Sequence, residues 1–254
     1  MKKMTVAVIG CGNIARNSHL PAYTKNPNAE GKYVVDIKRE VAEEVAKEFN
    51  VPNVLTDYRA FLDDPEVDVV SVCTPNYLHA PMTIDCLNAG KHVLCEKPAA
   101  VNADLVRDMK AAADKNGKVL NIGVVNRFNT VVNEIKDMIE AGELGNLYHI
   151  YCSFRSHRSI PGLGGWFTTK AQSGGGVLID WGVHFLDLIF YCINPDKVLT
   201  VSSSAYSELA KNMEEYVYES MWAGPPNYDG VYDVEELVTG FIRTSGPTIN
   251  FNGA

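Results

Sequence analysis

The chain has 254 residues, of which 46% are hydrophobic and 21% are charged, with a formal net charge of −8 at pH 7. This balance suits a globular protein with a sizeable core in one or two domains, and an acidic chain without a basic run is a poor candidate for binding nucleic acid or an anionic membrane. No apolar stretch is expected to span a membrane, and the sequence predicts a cytoplasmic protein.

The first half of the chain alternates short β-branched apolar runs with helical patterns. The predicted strands lie at residues 6–9, 33–36, 69–73, 92–95 and 119–122. The predicted helices lie at residues 14–23, 39–49, 82–89 and 103–116. Such alternation predicts an α/β domain in which a parallel sheet is covered by helices on both faces.

The pattern changes after Gly123, where we place a domain boundary. Residues 131–141 are typical of an amphipathic helix. The later predicted strands are longer and mix polar with apolar residues, at 148–155, 198–205 and 235–243. The last of them forms a hairpin pattern with residues 248–252. We therefore predict an α+β domain with a mostly antiparallel sheet that is incomplete at its C-terminal end.

Residues 10–15 form a G-x-G-x-x-A motif between the first strand and the first helix. In a dinucleotide-binding loop, Gly10 permits the tight turn, Gly12 lets the pyrophosphate approach the backbone, and Ala15 allows close helix–strand packing. The phosphates would lie at the helix N-terminus, beside Asn13 and Ile14.

Asp36 ends the second predicted strand, about twenty residues past the motif, where a carboxylate binds the ribose hydroxyls of NAD. The same carboxylate would repel the 2′-phosphate of NADP, so NAD is the predicted cofactor. Two alternatives stay open: Lys38 and Arg39 bind a phosphate, or Asp36 only caps the following helix.

Three polar residues follow the third predicted strand. Ligands of open α/β sheets bind beyond the carboxyl ends of the strands, so Thr74 and Asn76 are candidates for the ribose or nicotinamide side. Asn76 also fits a helix cap. We expect His79 to face the cofactor edge as a helix residue rather than to catalyse.

Two further segments carry the candidate catalytic residues. Lys97 stands between Glu96 and Pro98 directly after a predicted strand, and Asp180 and His184 are four residues apart in a predicted helix, hence on one face. Asp187 is a candidate hydrogen-bond partner of His184. The alternatives are an ion pair between Lys97 and Glu96 and a structural Asp–His pair.

These residue types suit the oxidation of a secondary alcohol. Imidazole titrates near neutral pH and can accept the hydroxyl proton, while a lysine can stabilise the developing alkoxide. Lys97 and His184 can exchange the role of base, and Asp180 would bind neighbouring hydroxyls. A metal site lacks a third ligand, so none is predicted.

The cysteine pattern does not indicate a catalytic or metal-binding role. None forms a C-x-x-C pair and most lie in apolar runs, which favours buried free thiols over a nucleophile or a zinc site. The six are Cys11, Cys73, Cys86, Cys95, Cys152 and Cys192.

Taken together, segments 10–15, 74–79, 96–98 and 174–184 resemble the Gfo/Idh/MocA oxidoreductase family (the glucose–fructose oxidoreductase and inositol dehydrogenase group). The resemblance implies an NAD(P)-binding Rossmann domain at 1–122 and a substrate and oligomerisation domain at 123–254. It implies a homodimer or homotetramer, a cis Lys97-Pro98 bond, and catalytic roles for Lys97, Asp180 and His184. Family members usually continue past this point, so the chain is expected to be truncated.

The resemblance also implies that Glu96, Asn126 and Arg127 lie near the cofactor. Arg158 and Trp166, in the loop before the predicted Asp180 helix, are candidates for binding a sugar face and its hydroxyls. We therefore predict NAD-dependent oxidation or reduction of a sugar, glycoside or cyclitol. The alternatives are an NAD-using glycosidase with transient oxidation and a non-catalytic dinucleotide-binding protein.

Overall fold

The structure, a computed structural model, describes residues 3–157, 159–219 and 221–254. The chain forms two compact units, Met1–Gly123 and Val124–Ala254. Each unit has its own sheet and its own hydrophobic core, and each is described separately.

Unit 1 contains a parallel sheet of six strands in the order β3-β2-β1-β4-β5-β6. This is the order of doubly wound dinucleotide-binding domains. The strands are β1 (Met4–Ile9), β2 (Ala29–Val35), β3 (Asn53–Leu55), β4 (Val69–Val72), β5 (His92–Cys95) and β6 (Leu120–Ile122). The short β3 is the one strand of this sheet that the sequence did not predict.

Helices cover both faces of this sheet, as the continuous apolar strands require. Ala7 and Ile9 of β1 belong to one buried cluster, while Val6 and Val8 belong to another, because successive side chains of a strand point to opposite faces. The helices are α1 (Leu20–Lys25), α2 (Arg39–Phe49), α3 (Asn76–Asn88) and α4 (Ala103–Asn116).

Unit 2 contains a mixed sheet of four strands in the order β7-β10-β9-β8. The strands are β7 (His149–Phe154), β8 (Val198–Tyr206), β9 (Leu237–Thr244) and β10 (Thr248–Gly253). The β9–β10 hairpin is the predicted one, with Thr248 opposite Arg243. Two of the three pairings are antiparallel, and β10 runs parallel to β7. The helices are α5 (Thr130–Glu140), α6 (Lys170–Ser173) and α7 (Val183–Ile193).

The core of unit 2 lies between its sheet and the helical segment that contains α7. Phe154, which is 1% exposed, stacks on Phe185 with ring centroids 5.3 Å apart. Trp181 and Ile189 pack against the same buried cluster. A bulky apolar layer from the helix thus closes one face of the sheet.

One helical stretch among the described residues corrects the sequence interpretation. Lys170–Ile193 spans 24 residues and includes an 18-residue window of mean hydropathy 1.6, enough by length and composition alone to cross a membrane. The expectation that no apolar stretch approaches that length was wrong. Packing of this stretch on the sheet accounts for part of its apolar character.

Phe154→Ala should lower the free energy of unfolding of unit 2 by about 3–5 kcal/mol, because it removes a fully buried ring and leaves a cavity. Chemical denaturation followed by tryptophan fluorescence would measure the change. The matched variant Tyr148→Ala, at a position 79% exposed, should stay within about 0.5 kcal/mol of wild type. Equal effects of the two substitutions would contradict the assignment of Phe154 to the core.

Candidate functional site

The glycine loop of residues 10–15 is held against two neighbouring strands. Gly10 has φ +91°, and a Cβ there would lie 2.5 Å from the Cys73 carbonyl oxygen at the end of β4. The Gly10 N–H donates to the Val35 carbonyl at 2.8 Å, at the end of β2. Gly10 is therefore required by both conformation and space.

The other loop positions have different surroundings. Ala15 is fully buried in the core, which brings the helix close to the sheet. A Cβ on Gly12 would meet no described atom within 4 Å, so the open side of the loop faces away from the protein at that point. Asn13 bonds Asn17, with 2.6 Å between the side-chain oxygen and nitrogen, and Ile14 is 38% exposed.

Asp36 lies directly beside the glycine loop. Its Oδ2 accepts from the Cys11 N–H at 3.0 Å, and its Oδ1 accepts from the Lys38 N–H at 3.0 Å. The carboxylate thus fastens the loop to the end of β2 and remains at the position from which a ribose would be bound. Because Lys38 is the N-cap residue of α2, this second contact also ties Asp36 to the start of that helix.

The loop after β4 offers a polar atom without a partner. Thr74 Oγ1 is buried, and among the described residues it has no hydrogen-bond partner. Such an atom is costly unless a ligand or water satisfies it. Asn76 begins α3 and is 9% exposed. An orphaned hydroxyl in the residue whose main-chain nitrogen would lie 3.1 Å from a Cβ on Gly10 fits a bound dinucleotide, which Gly10, Gly12, Asp36 and Thr74 would hold.

His79 is almost completely buried and contacts main chain on both sides of its ring. Nδ1 lies 2.6 Å from the Pro98 carbonyl oxygen and Nε2 lies 2.8 Å from the Thr74 carbonyl oxygen. Burial lowers the pKa of His79, while the two carbonyls and Glu96 oppose that change. The ring therefore links the loops that follow β4 and β5.

Glu96 directly follows β5 and is a buried carboxylate with three neighbours. Its Oε1 lies 2.8 Å from His19 Nε2, and its Oε2 accepts from the Lys97 N–H at 3.2 Å. A Cβ on Gly123 would lie 3.0 Å from Oε1. Burial raises the pKa of Glu96, but the bond from His19 and the charges of His19 and Lys97 outweigh it, and the net pKa is lowered. Glu96 is therefore a buried anion.

Lys97 is half-buried and follows this carboxylate directly, and the Lys97-Pro98 bond is cis, as the family resemblance implied. The loops that contain Gly10, Thr74 and Lys97 follow β1, β4 and β5, which are adjacent parallel strands. Their carboxyl ends share one edge of the sheet, where open α/β domains bind ligands.

In unit 2, Asp180 and His184 lie on one helical segment. Residues Leu178–Gly182 form a π-helical turn, a feature frequent at functional sites, and α7 follows directly. Residues four apart stay on one side of such a segment, so Asp180 and His184 share a face.

Glu235 holds the start of this segment in place. The Glu235 carbonyl accepts from the Val177 N–H at 2.9 Å, and its Oε1 accepts from the Leu178 N–H at 3.2 Å. A Cβ on Gly176 would overlap the Glu235 carbonyl oxygen. The glycine run before Asp180 is therefore needed for close approach to Glu235, a partner that sequence reasoning missed.

Arg127 has a partner that the sequence did not indicate. Its Nε donates to Asp187 Oδ2 at 2.8 Å, and a second guanidinium nitrogen donates to Asp187 Oδ1. The guanidinium also lies 5.1 Å from the ring centroid of Tyr191. This bidentate pair joins the Val125–Phe128 turn to α7. Asn126 lies exposed in the same turn.

The structure describes part of the loop that contains the candidate sugar-binding residues. Trp166 and Phe167 pack together with centroids 4.7 Å apart, and Phe167 meets Trp222 edge-on at 5.5 Å. Arg158 lies outside the described residues, so its predicted role has no structural counterpart here.

All six cysteines are free thiols, four of them buried, as predicted. Burial raises the pKa of Cys11, Cys86 and Cys95 to about 12, so these thiols stay protonated and are poor nucleophiles.

The fold and the glycine loop define a dinucleotide-binding domain of the Rossmann class. Comparison with known families narrows this class. The model of the GFO_IDH_MocA oxidoreductase family, NAD-binding Rossmann fold, matches residues 4–124, and the GFO/IDH/MocA C-terminal domain matches residues 132–250. The chain belongs to the Gfo/Idh/MocA oxidoreductase family, and NAD is the cofactor of its Rossmann fold.

Similar proteins include sugar and diol dehydrogenases. The chain is 34% identical to D-glucoside 3-dehydrogenase of Escherichia coli (strain K12) over 81% of its own length and 58% of that protein. It is 34% identical to trans-1,2-dihydrobenzene-1,2-diol dehydrogenase of Mus musculus, over 76% of the chain and 58% of that protein. A structure of levoglucosan dehydrogenase in complex with NADH has a TM-score of 0.82 and 25% identity, covering 100% of this chain and 67% of that one. The chain thus spans less than two thirds of these curated relatives.

Two glycine substitutions should separate folding from cofactor binding. Gly10→Ala should lower the free energy of unfolding by more than about 2 kcal/mol, because the new Cβ meets the Cys73 carbonyl at a positive φ. Gly12→Ala should leave stability within about 1 kcal/mol, since space is open, yet weaken NAD binding about 10-fold or more by blocking the pyrophosphate. Thermal melting and calorimetric titration with NAD would measure the two effects. Unchanged NAD affinity in Gly12→Ala would count against this loop as the phosphate site.

Proposed function

We propose that the protein oxidises a secondary hydroxyl of a sugar, glycoside or related polyol with NAD. The observation that carries the proposal is Lys97, which follows the buried Glu96 anion at the same sheet edge as the glycine loop. A lysine at that edge is positioned for chemistry on a ligand rather than for solubility. The similarity to D-glucoside 3-dehydrogenase and levoglucosan dehydrogenase supports a carbohydrate substrate.

In the proposed reaction, bound NAD supplies the hydride acceptor. Lys97 would contact the reacting oxygen and stabilise its negative charge as the proton leaves, and either Lys97 or His184 would be the base. Asp180 would bind a neighbouring hydroxyl and orient the ring. Which of Lys97 and His184 takes the proton first is an assignment for kinetics.

The remaining residues would hold the substrate and cofactor in place. Asn126 and Glu96 are proposed to lie near the cofactor, Glu96 acting through Lys97. Since Arg127 is bound to Asp187, we propose that it fixes α7 and thereby His184, rather than contacting the cofactor directly. Arg158 and Trp166 are proposed substrate contacts.

The proposed assembly is a homodimer or homotetramer in the cytoplasm. Exposed apolar side chains on the strands of the unit 2 sheet support an interface between copies of the chain, since Tyr151 is 65% and Val201 is 59% exposed.

A paired assay tests the reaction. The protein would be incubated with NAD and a panel of sugars, aryl glycosides and inositols, following NADH absorbance and free aglycone in the same sample. We expect NADH to accumulate with at least one carbohydrate. Aglycone release without net NADH would replace the proposal with a glycosidase that oxidises transiently. No change across the panel, with NAD still bound, would indicate a binding protein.

Lys97→Ala should reduce turnover by about 10²-fold or more, the scale of a lost acid–base or electrostatic group. NAD affinity should stay within a few-fold, because the phosphates and the ribose are bound elsewhere. The matched control is Lys110→Ala, an exposed lysine of α4 that pairs with Asp114 in the same unit. Steady-state kinetics and calorimetry would measure both quantities, and unchanged turnover would remove Lys97 from the catalytic residues.

A further inference from the structure

Trp166, Phe167 and Trp222 of unit 2 form an aromatic cluster that is partly open to solvent. Trp166 contacts Phe167, and Phe167 meets Trp222 edge-on, with ring centroids 4.7 Å and 5.5 Å apart. Trp222 is nevertheless 53% exposed, which is unusual for so large an apolar side chain. The contact with Phe167 orients the Trp222 ring, while the rest of its surface stays available to a ligand.

Two loops of unit 2 carry these rings, and hydrogen bonds join one loop to the other. The Asn227 N–H donates to the Leu163 carbonyl at 2.9 Å. The Thr168 hydroxyl donates to the Val231 carbonyl at 2.7 Å, and Thr168 is buried. Because the loops are fixed to each other, Trp222 has a defined position relative to the other two rings of the cluster.

The same two loops lead into the helical segment that contains Asp180. The Lys170 N–H donates to Asp233 Oδ1 at 2.6 Å. The Val177 N–H donates to the Glu235 carbonyl at 2.9 Å, directly before the turn with Asp180. The aromatic cluster and the candidate substrate residue Asp180 are therefore built on one hydrogen-bonded framework within unit 2.

The exposed ring of Trp222 suits a ligand that has a flat apolar face. Small-molecule sites obtain most of their contact area from apolar and aromatic side chains, and a few polar groups fix the orientation. Tryptophan offers a large rigid surface at low cost in conformational entropy. Asp180 and His184 lie on a separate element from the cluster, so a ligand that contacts both elements extends beyond one sugar ring.

We propose that Trp222 binds the part of a glycoside that is not oxidised, namely an aglycone ring or second sugar ring attached to the reacting sugar. This inference rests on the proposed function, in which Asp180 and His184 contact the oxidised ring. It narrows the substrate class to glycosides, as opposed to free monosaccharides and inositols. Trp222 contributes affinity and takes no part in proton or hydride transfer.

Binding of a matched pair of ligands tests the contact. Phenyl β-D-glucopyranoside and D-glucose differ by the phenyl ring, and NADH in the sample prevents their oxidation. Titrations followed by saturation-transfer difference NMR would give both dissociation constants for wild type, Trp222→Ala and Trp222→Phe. The matched control is Tyr148→Ala, which removes a ring that is 79% exposed in the same unit but outside the cluster.

We expect wild type to bind the phenyl glucoside more tightly than glucose. Trp222→Ala should weaken binding of the phenyl glucoside about 10-fold, the scale of one lost ring contact, and leave glucose within about 2-fold. Trp222→Phe should retain most of the difference between the ligands, and Tyr148→Ala all of it. Failure of wild type to bind the phenyl glucoside, or equal losses for both ligands in Trp222→Ala, would overturn the assignment.

Steady-state kinetics separate this inference from the proposed function. With NAD and the phenyl glucoside, Trp222→Ala should raise KM about 10-fold and leave kcat within about 2-fold, the pattern of a contact made equally in the ground and transition states. Phenyl glucoside that binds wild type through Trp222 but yields no NADH would overturn the proposed function alone. NADH formation with a KM that Trp222→Ala leaves unchanged would overturn the Trp222 contact alone.

Discussion

The buried carboxylate of Glu96 is the constraint on which the candidate site depends. A charge removed from water is costly unless it is paired, and removal of one partner of a buried pair typically costs about 3–5 kcal/mol. Glu96 meets this requirement through two contacts. One is with His19, on the helical stretch after the glycine loop, and the other is with the main-chain N–H of Lys97. The cofactor loop and the candidate catalytic lysine are therefore coupled by one side chain, which leaves little room for a side chain at position 123.

The topology of unit 1 places the other candidate residues at one edge of its sheet. Because β1, β4 and β5 are neighbours in a parallel sheet, the three loops that follow them emerge side by side. His79 then bonds the carbonyls of two of these loops, at Thr74 and Pro98. The loops are thus fixed to one another by buried polar contacts, which hold an otherwise open edge in one arrangement before a ligand binds.

The sequence predicted those features whose cause is local. The glycine loop was identified because positive φ and close approach at Gly10 select one residue type, and the strands of both sheets because their patterns are strong. It did not predict β3, which has three residues and too short a pattern. It also missed the contact of His19 with Glu96, since partners far apart in sequence leave no periodic signal. His19 had one indication, as an ionisable residue in the same helical stretch as the apolar residues Ala15 and Leu20.

Unit 2 also positions its candidate residues by packing a glycine against a glutamate. Gly176 must be a glycine because the Glu235 main chain occupies the space of a side chain, and Glu235 then binds the N–H groups that open the helical segment. The π-helical turn containing Asp180 begins directly after these contacts, and the Arg127–Asp187 pair fixes the same helix one turn beyond His184. Asp180 and His184 thus lie between two anchored points, one formed by Glu235 and the other by the Arg127–Asp187 pair. The glycine at position 176 is therefore better interpreted as making room for the main chain of Glu235 than as a flexible hinge.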